Sequence, residues 1–167
     1  DSFKGFGSFV SDKKIKIKGS DNKESEIEGE NIIIATGSEP SKMPNINFDE
    51  ERIVSSTGAL SLKKVPKKMI VIGGGYIGLE MGSVWSRLGS EVTVIEYLDH
   101  ITPGMDREIS NEFKKILTKQ GINFKMGSRV NNVESTSSGV VINYTDLKSS
   151  KDENSEFDKV LVSVGRK

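Results

Sequence analysis

Two patterns of hydrophobic and polar positions divide the chain near Pro66. Before Pro66, Lys14 to Lys18 alternates lysine and isoleucine, which predicts a half-exposed strand. Ser25 to Glu28 predicts a second strand, and the continuous apolar run Asn31 to Ala35 predicts a third at the edge of a buried sheet. Residues 39–66 are irregular and hold three of the four prolines, so we interpret them as a connection between two units.

After Pro66 the pattern becomes regular. The apolar strand Met69 to Ile72 precedes residues at helical spacing that end at Gly89. A second strand, Val92 to Ile95, precedes another helix that begins near Asp106, and Ile122 to Met126 predicts a third strand. The two apolar stripes are Ile77, Met81, Val84, Trp85 and Leu88 in the first helix, and Ile109, Phe113, Ile116 and Leu117 in the second. Strands that alternate with helices predict a parallel sheet.

The end of the chain differs from this alternation. Arg129 to Glu134 and Val140 to Thr145 predict an antiparallel pair. The polar tract Leu147 to Glu156 predicts a solvated loop, and Lys159 to Val164 predicts a last buried strand. The predicted fold class is therefore α/β, a Rossmann-like open parallel sheet with an antiparallel β-meander.

Composition narrows the possible partners. Lysine plus arginine and aspartate plus glutamate both count 24, so no net field attracts the chain to nucleic acid or to an anionic membrane. Its apolar runs are strand-sized, far below the roughly 20 residues of a membrane span. We therefore expect neither partner. The chain has no cysteine, which excludes a disulfide scaffold, a cysteine zinc cluster and a redox-active thiol pair within it.

A glycine motif carries the candidate chemistry. Residues 73–78 read Gly-Gly-Gly-Tyr-Ile-Gly and fit the pattern Gly-x-Gly-x-x-Gly between a predicted strand and a predicted helix. Gly73 would permit the tight turn, Gly75 would leave room for a pyrophosphate, and Gly78 would let the helix pack closely on the sheet. The phosphates would then lie at the helix N-terminus, where free N–H groups favour negative charge.

Glu96 is the candidate for cofactor choice. It ends the second strand about 20 residues beyond the glycines, where a carboxylate accepts hydrogen bonds from the adenosine ribose. A 2′-phosphate would meet like charge there, and residues 97–100 supply no arginine or lysine, so we predict NAD rather than NADP. The alternative is that Glu96 is only a solvated strand end.

These motifs resemble the pyridine-nucleotide-dependent flavin disulfide reductases and, within them, the dihydrolipoamide dehydrogenases. Ile32 to Pro40 resembles the segment that contacts FAD as the chain leaves the flavin domain. Gly73 to Glu96 is similar to the NAD-binding unit, and Val160 to Arg166 resembles the strand that returns to the flavin domain. The resemblance implies residues 1–40 as the end of an FAD-binding domain with partial strands, 41–66 as a connection, 67–160 as the NAD-binding domain and 161–167 as the return strand.

The resemblance also implies roles for individual residues. Thr36, Gly37 and Ser38 would contact FAD; Glu80 would lie beside the nicotinamide, Val130 would approach the adenine through its backbone, and Gly165 would line the NAD cleft. The implied NAD-binding residues are Gly73, Gly74, Gly75, Tyr76, Ile77, Gly78, Leu79, Glu80, Glu96, Val130 and Gly165. Glu80 as a solvent-facing helical glutamate and Val130 as plain core are the alternatives. The single histidine, His100, is predicted to be a surface loop residue, and Met81 and Trp85 core residues.

The departures from the family pattern are large. The flavin-binding glycine motif, the paired redox cysteines and the interface domain with its His–Glu base have no counterpart in this sequence. We therefore interpret the chain as a middle section of a longer enzyme, and we expect no catalytic residue in it and no activity from it alone.

Three functions remain open. The first is a dihydrolipoamide dehydrogenase that passes electrons from dihydrolipoamide through a disulfide and FAD to NAD. Another NADH-linked flavoprotein reductase, such as an NADH oxidase, would differ in its cysteine pair, and a non-catalytic NAD-binding module would need a natural transcript of this length. The resemblance further implies a homodimeric parent, a place in a 2-oxo acid dehydrogenase complex, and an intracellular location: mitochondrial matrix or plastid in a eukaryote, cytoplasm in a bacterium.

Overall fold

The computed structural model describes all residues 1–167, which form two compact units, Asp1–Gly37 and Ser38–Lys167. The first unit is an antiparallel meander of β1 (Phe6–Phe9), β2 (Lys14–Lys18) and β3 (Glu24–Glu28). The strand register places lysines of β2 opposite glutamates of β3, and Lys14 Nζ lies 2.9 Å from Glu28 Oε1. The predicted strands 14–18 and 25–28 are therefore present, and β1 is an addition.

The apolar run Asn31 to Ala35 does not form the predicted strand. Its Ile33 side chain is 90% exposed and its Ile34 side chain 69% exposed. The prediction was wrong because apolar side chains favour a strand only where a neighbouring strand pairs with it. The sheet of the first unit contains β1, β2 and β3 alone.

The second unit contains a parallel sheet in the strand order β4-β11-β5-β6-β7 and an antiparallel sheet in the order β10-β9-β8. Its elements are β4 (Ile53–Val54), α1 (Ser56–Leu60), β5 (Lys68–Ile72), α2 (Tyr76–Arg87), β6 (Glu91–Ile95), α3 (Arg107–Lys119), β7 (Asn123–Lys125), β8 (Ser128–Ser135), β9 (Val140–Asp146), β10 (Lys151–Phe157) and β11 (Lys159–Val162). The predicted mixed α/β fold is confirmed, with β5, β6, β7 and β11 parallel as expected.

Both faces of the parallel sheet are covered. Along β5, Met69 and Val71 belong to one buried cluster together with Leu79 and Trp85 of α2. The alternate residues of β5 belong to a second cluster, which includes apolar residues of β8 and β9. Because successive side chains of a strand point to opposite faces, helices cover one face and the antiparallel sheet covers the other. The sheet is thus the middle of three layers.

Two polar segments contain structure that the pattern did not predict. Residues 41–66, interpreted as a connection, contribute β4 and α1 to the second unit. The predicted loop Leu147 to Glu156 is confirmed only as a turn at residues 147–150, and it is wrong from Lys151 onward, because β10 pairs with β9 over its whole length. Its Glu153 accepts a hydrogen bond of 2.5 Å from the Tyr144 hydroxyl and lies 3.3 Å from Lys125 Nζ, and these two donors lower the pKa of Glu153. The acidic residues of β10 gave this segment the polar composition of a loop, although their partners on neighbouring strands allow a strand here.

The helices begin and end at recognisable residues. Asp106 caps α3, since its carboxylate accepts from the backbone N–H groups of Glu108 and Ile109.

In α2, Trp85 is buried and Met81 packs beside the same core, as predicted. No helix among residues 1–167 is long and apolar enough to cross a membrane.

Candidate functional site

The glycine turn joins β5 to α2 at the carboxyl end of the parallel sheet. Gly73 has φ +106°, a backbone conformation that a side chain disfavours, and its N–H donates to the Ile95 carbonyl at 2.9 Å. A Cβ on Gly78 would collide with the Gly73 carbonyl and lie 2.5 Å from Ser163 Oγ. The two glycines therefore permit the sharp turn and the close approach of α2 to the sheet.

The first turn of α2 is open to a ligand. Gly75 is the N-cap, with extended φ and ψ of −76° and 172°, and no side chain caps the helix. A Cβ on Gly75 would meet no atom within 4 Å. No side chain thus occupies the N-terminus of α2, and a dinucleotide pyrophosphate can lie against such a helix N-terminus.

Glu96 faces the same turn from the end of β6. Its Oε2 accepts a hydrogen bond of 2.6 Å from Gly74 N, and its Oε1 accepts one of 2.9 Å from Leu98 N. Each carboxylate oxygen has a second lone pair, so both can still accept from a ribose hydroxyl. The backbone holds the carboxylate in place before any ligand arrives.

The loop between β6 and α3 closes one side of the site. Thr102 N donates to the Gly74 carbonyl at 2.7 Å, and Thr102 Oγ1 lies 2.8 Å from Ser110 Oγ. Arg107, the first residue of α3, binds both carboxylate oxygens of Asp99 in this loop and holds the pKa of that carboxyl well below its usual range, with His100 adding to the effect. The loop is therefore fixed to the glycine turn and to the start of α3.

These elements enclose a cavity of about 470 Å³, a size that suits a small organic ligand. Of the predicted NAD-binding residues, the lining contains Gly73, Gly75, Tyr76, Ile77, Glu96, Val130 and Gly165. The structure thus brings together residues from the glycine turn, β6, β8 and the segment after β11.

The other predicted NAD-binding residues lie outside the lining. Gly74 contacts the Glu96 side chain, and Gly78 packs against Ser163. Leu79 is 1% exposed in the core beneath the sheet, and Glu80 is exposed on α2. Gly74, Gly78 and Leu79 therefore pack against other protein atoms and support the turn, without lining the cavity.

The segments before β4 and after β11 pair with each other at the rim of the cavity. Glu39 and Lys167 exchange backbone hydrogen bonds of 2.8 and 3.0 Å, and Ser41 N donates to the Gly165 carbonyl at 3.0 Å. Arg166 Nε donates to Ser38 Oγ at 2.7 Å, and its Nη2 donates to the Ser38 carbonyl. Gly165, at φ +126°, is held within this pairing.

The predicted FAD contacts fall in both units. Ser38 is the residue that Arg166 binds in the second unit. Thr36 and Gly37 end the first unit, where both are exposed and Gly37 has φ +78°.

Several residues of the cavity lining were not predicted from the sequence, among them Met43, Thr102, Met105, Arg129 and Ser163. Met43 and Ser163 come from segments far from the glycine motif in sequence, so no local pattern identifies them. Arg129 could have been found, because it precedes Val130, which was already a candidate.

The comparisons agree with this geometry. The chain matches the pyridine nucleotide-disulphide oxidoreductase family over residues 4–167. It is 58% identical over 165 residues to a dihydrolipoamide dehydrogenase of Chaetomium thermophilum, covering 98% of this chain and 33% of that protein. It is 47% identical to dihydrolipoyl dehydrogenase 3 of Pseudomonas putida, covering 100% of this chain and 36% of that one. The chain thus spans about a third of the length of these relatives.

Solved structures agree as well. LpdA of Mycobacterium tuberculosis superposes with a TM-score of 0.82 at 26% identity, over 97% of this chain and 36% of that one. The HOCl-induced flavoprotein disulfide reductase RclA of Escherichia coli superposes with a TM-score of 0.80 at 28% identity, over all of this chain and 36% of that one. The resemblance seen in the motifs is confirmed, and the chain belongs to the pyridine nucleotide-disulphide oxidoreductase family.

Proposed function

We propose that this chain is the NAD-binding section of a flavin-dependent dihydrolipoamide dehydrogenase, which reoxidises dihydrolipoamide through a redox disulfide, FAD and NAD. Membership of the family implies FAD and a pyridine nucleotide. The observation that carries the proposal is the open first turn of α2 at Gly75 together with Glu96 in the lining of one cavity. Relatives named dihydrolipoamide or dihydrolipoyl dehydrogenase favour this activity over an NADH oxidase or a non-catalytic module.

In this proposal each part of the cavity binds one part of the dinucleotide. The α2 N-terminus binds the pyrophosphate, and Glu96 accepts hydrogen bonds from the adenosine ribose. Val130 lies at the adenine end and Gly165 on the cleft wall. Glu80 lies at the nicotinamide end, and Thr36, Gly37 and Ser38 contact FAD. When bound, the flavin and the nicotinamide supply the redox chemistry, and the chain orients them.

Glu96 supports NAD as the cofactor rather than NADP. A 2′-phosphate on the adenosine would lie beside the Glu96 carboxylate, and like charges repel. We therefore expect NADH to bind more tightly than NADPH.

The proposal extends to the parent protein. We expect a homodimer that can act within a 2-oxo acid dehydrogenase complex. Relatives named as mitochondrial come from plants, which supports the mitochondrial matrix as the location in a eukaryote. A plastid in a eukaryote and the cytoplasm in a bacterium are the other locations that we propose.

The open turn gives a direct test of the binding site. Replacing Gly75→Ala adds a methyl group that touches nothing in the protein and adopts the existing φ without strain, but that fills the space of the pyrophosphate. Calorimetric titration should find NADH affinity reduced on the order of tenfold or more, as for a lost charge-assisted contact of 1.5–3 kcal/mol. The denaturation midpoint, followed by fluorescence of Trp85, should not change.

Gly82→Ala is the matched control in the same helix. Its Cβ would meet Val92 at 3.4 Å and Val71 at 3.6 Å, which is ordinary contact in the core away from the cavity. This variant should bind NADH like the wild type. Full NADH affinity in Gly75→Ala would contradict the proposed site.

A further inference from the structure

Arg129 is the cation of the cavity that the proposed function leaves without a task. It follows Ser128, whose N–H donates to the Glu96 carbonyl at 2.9 Å, so β8 brings Arg129 beside the strand end that carries Glu96. Both Arg129 and Glu96 belong to the cavity lining. Arg166 is the other arginine of the lining, but its guanidinium is already bound to Ser38.

A chain of hydrogen bonds across the antiparallel sheet orients the Arg129 side chain. Arg129 Nε donates to Asn131 Oδ1 at 3.2 Å, and Asn131 Nδ2 donates to Thr145 Oγ1 at 2.8 Å. Thr145 Oγ1 in turn donates to Asp152 Oδ1 at 2.5 Å. The strand register shifts between Val130 and Asn132, so Asn131 is the extra residue of a β-bulge, and bulges commonly re-aim a side chain beside a site.

The other donors of the Arg129 guanidinium, its two Nη groups, have no partner in the protein. Neither Nη group of Arg129 makes a hydrogen bond, and no carboxylate lies within 4.0 Å to form an ion pair with it. Glu96, which belongs to the same cavity lining, is instead bound by the backbone N–H groups of Gly74 and Leu98. An arginine oriented through Nε with both Nη groups free presents the planar fork that binds phosphate oxygens.

We propose that Arg129 is a second specificity-determining residue, which binds the phosphate on the adenosine 2′ position and partly offsets its repulsion by Glu96. The inference rests on the proposed function, because it needs a dinucleotide in the cavity. The preference for NADH over NADPH is then set by a carboxylate and a guanidinium together. Glu96 favours the ribose hydroxyls, and Arg129 lowers the penalty for the 2′-phosphate.

The test compares both nucleotides on one variant. In Arg129→Gln, calorimetric titration should find NADPH affinity reduced on the order of tenfold, as expected for a charged hydrogen bond, and NADH affinity changed by less than about twofold. NADPH binding by the wild type should weaken with added salt more steeply than binding by the variant. Arg129→Lys should recover part of the NADPH affinity.

Two further variants serve as controls. Asn131→Ala removes the acceptor that orients Nε and should cause part of the NADPH loss. Arg87→Gln removes an arginine on α2, outside the lining, that donates to the Ser83 carbonyl, and should leave both affinities unchanged.

The outcomes separate this inference from the proposed function. If the wild type binds neither nucleotide, the proposed function fails. If the wild type binds NADH and Arg129→Gln weakens both nucleotides equally, Arg129 contacts the shared pyrophosphate and the inference is overturned. It is also overturned if Arg129→Gln changes neither affinity.

Discussion

The parallel sheet of the second unit and the meander of the first unit are both made of short strands, but their side chains are used differently. In β5, Met69, Ile70 and Val71 are all 0% exposed. In β2, lysines alternate with isoleucines, and Ile17 is the one buried residue of its unit. The parallel sheet has apolar layers on both faces, whereas the meander is bordered by charged pairs such as Lys16 with Glu24.

The two sheets therefore differ in what stabilises them and in what sets the register of their strands. Apolar burial contributes most of the free energy of folding, whereas exposed ion pairs contribute little and are screened by salt. The second unit therefore has its own core, which can fix the geometry of the nucleotide cavity. In the meander, opposite charges on facing strands specify the pairing of β2 with β3 without much stabilisation.

The largest expected effect is on the core of the second unit. Leu161 on β11 is 0% exposed within the same cluster as Trp85. Leu161→Ala should destabilise the unit by about 2–5 kcal/mol, through lost transfer energy and a residual cavity. Chemical denaturation followed by Trp85 fluorescence measures it. Leu60→Ala, at a side chain that is 76% exposed, is the control and should leave the midpoint nearly unchanged.

A smaller effect is expected in acid, where β4 joins the parallel sheet. Asp49 Oδ1 accepts from the backbone N–H groups of Glu51, Arg52 and Ile53 at 2.8, 2.7 and 2.8 Å. Partial burial opposes ionisation, but these bonds and one from Ser135 together lower the pKa of Asp49. Because the folded pKa is depressed, the stabilisation is present above the unfolded pKa and is lost as the pH falls through the folded pKa.

Asp49→Asn tests this pH dependence. The wild type should lose stability below about pH 4 more steeply than the variant, by less than about 1 kcal/mol because the carboxylate is largely solvated. Denaturation midpoints measured between neutral pH and about pH 2 provide the comparison. Parallel curves for the two proteins would show that the Asp49 charge contributes nothing to the attachment of β4.

The smallest effect is expected in the meander. A hydrogen bond to Glu28 raises the pKa of Lys14, so the stabilisation from the lysine charge is present at neutral pH and is lost as the pH rises through the folded pKa. Lys14→Ala should speed backbone amide exchange in β2 by no more than a few-fold, because exposed pairs are weak. The Trp85 transition should not shift. A large loss of protection throughout β2 would mean that the charges, and not the backbone pairing, hold the meander.

The sequence predicted the parts of the fold where apolar period and glycine position agree. The strands β5 and β6 and the turn at Gly73 follow from such local signals. The pattern failed at β10, whose exposed Glu153 accepts a hydrogen bond from Tyr144 of β9, and at the apolar run Asn31 to Ala35, which has no strand beside it. Both failures concern strand pairing, which the apolar period of a single segment does not report.

The candidate site shows the same limit. The glycine turn and Glu96 are separated by a spacing that the strand–helix–strand unit fixes, so the sequence could bring them together. Thr102 reaches the turn only because the loop after β6 bends at a positive φ of 50° and donates to Gly74. Met43 and Ser163 enter the lining through the order of the strands, which no local pattern reveals.

The backbone pair between Glu39 and Lys167 has a consequence for the history of such folds. The pair holds the two ends of the second unit next to each other through backbone hydrogen bonds. A unit with adjacent ends can be inserted into a host domain without stretching the host chain, and its loop is closed by its own hydrogen bonds. Duplication or exchange of a whole nucleotide-binding unit between proteins then requires cutting the host at a single point.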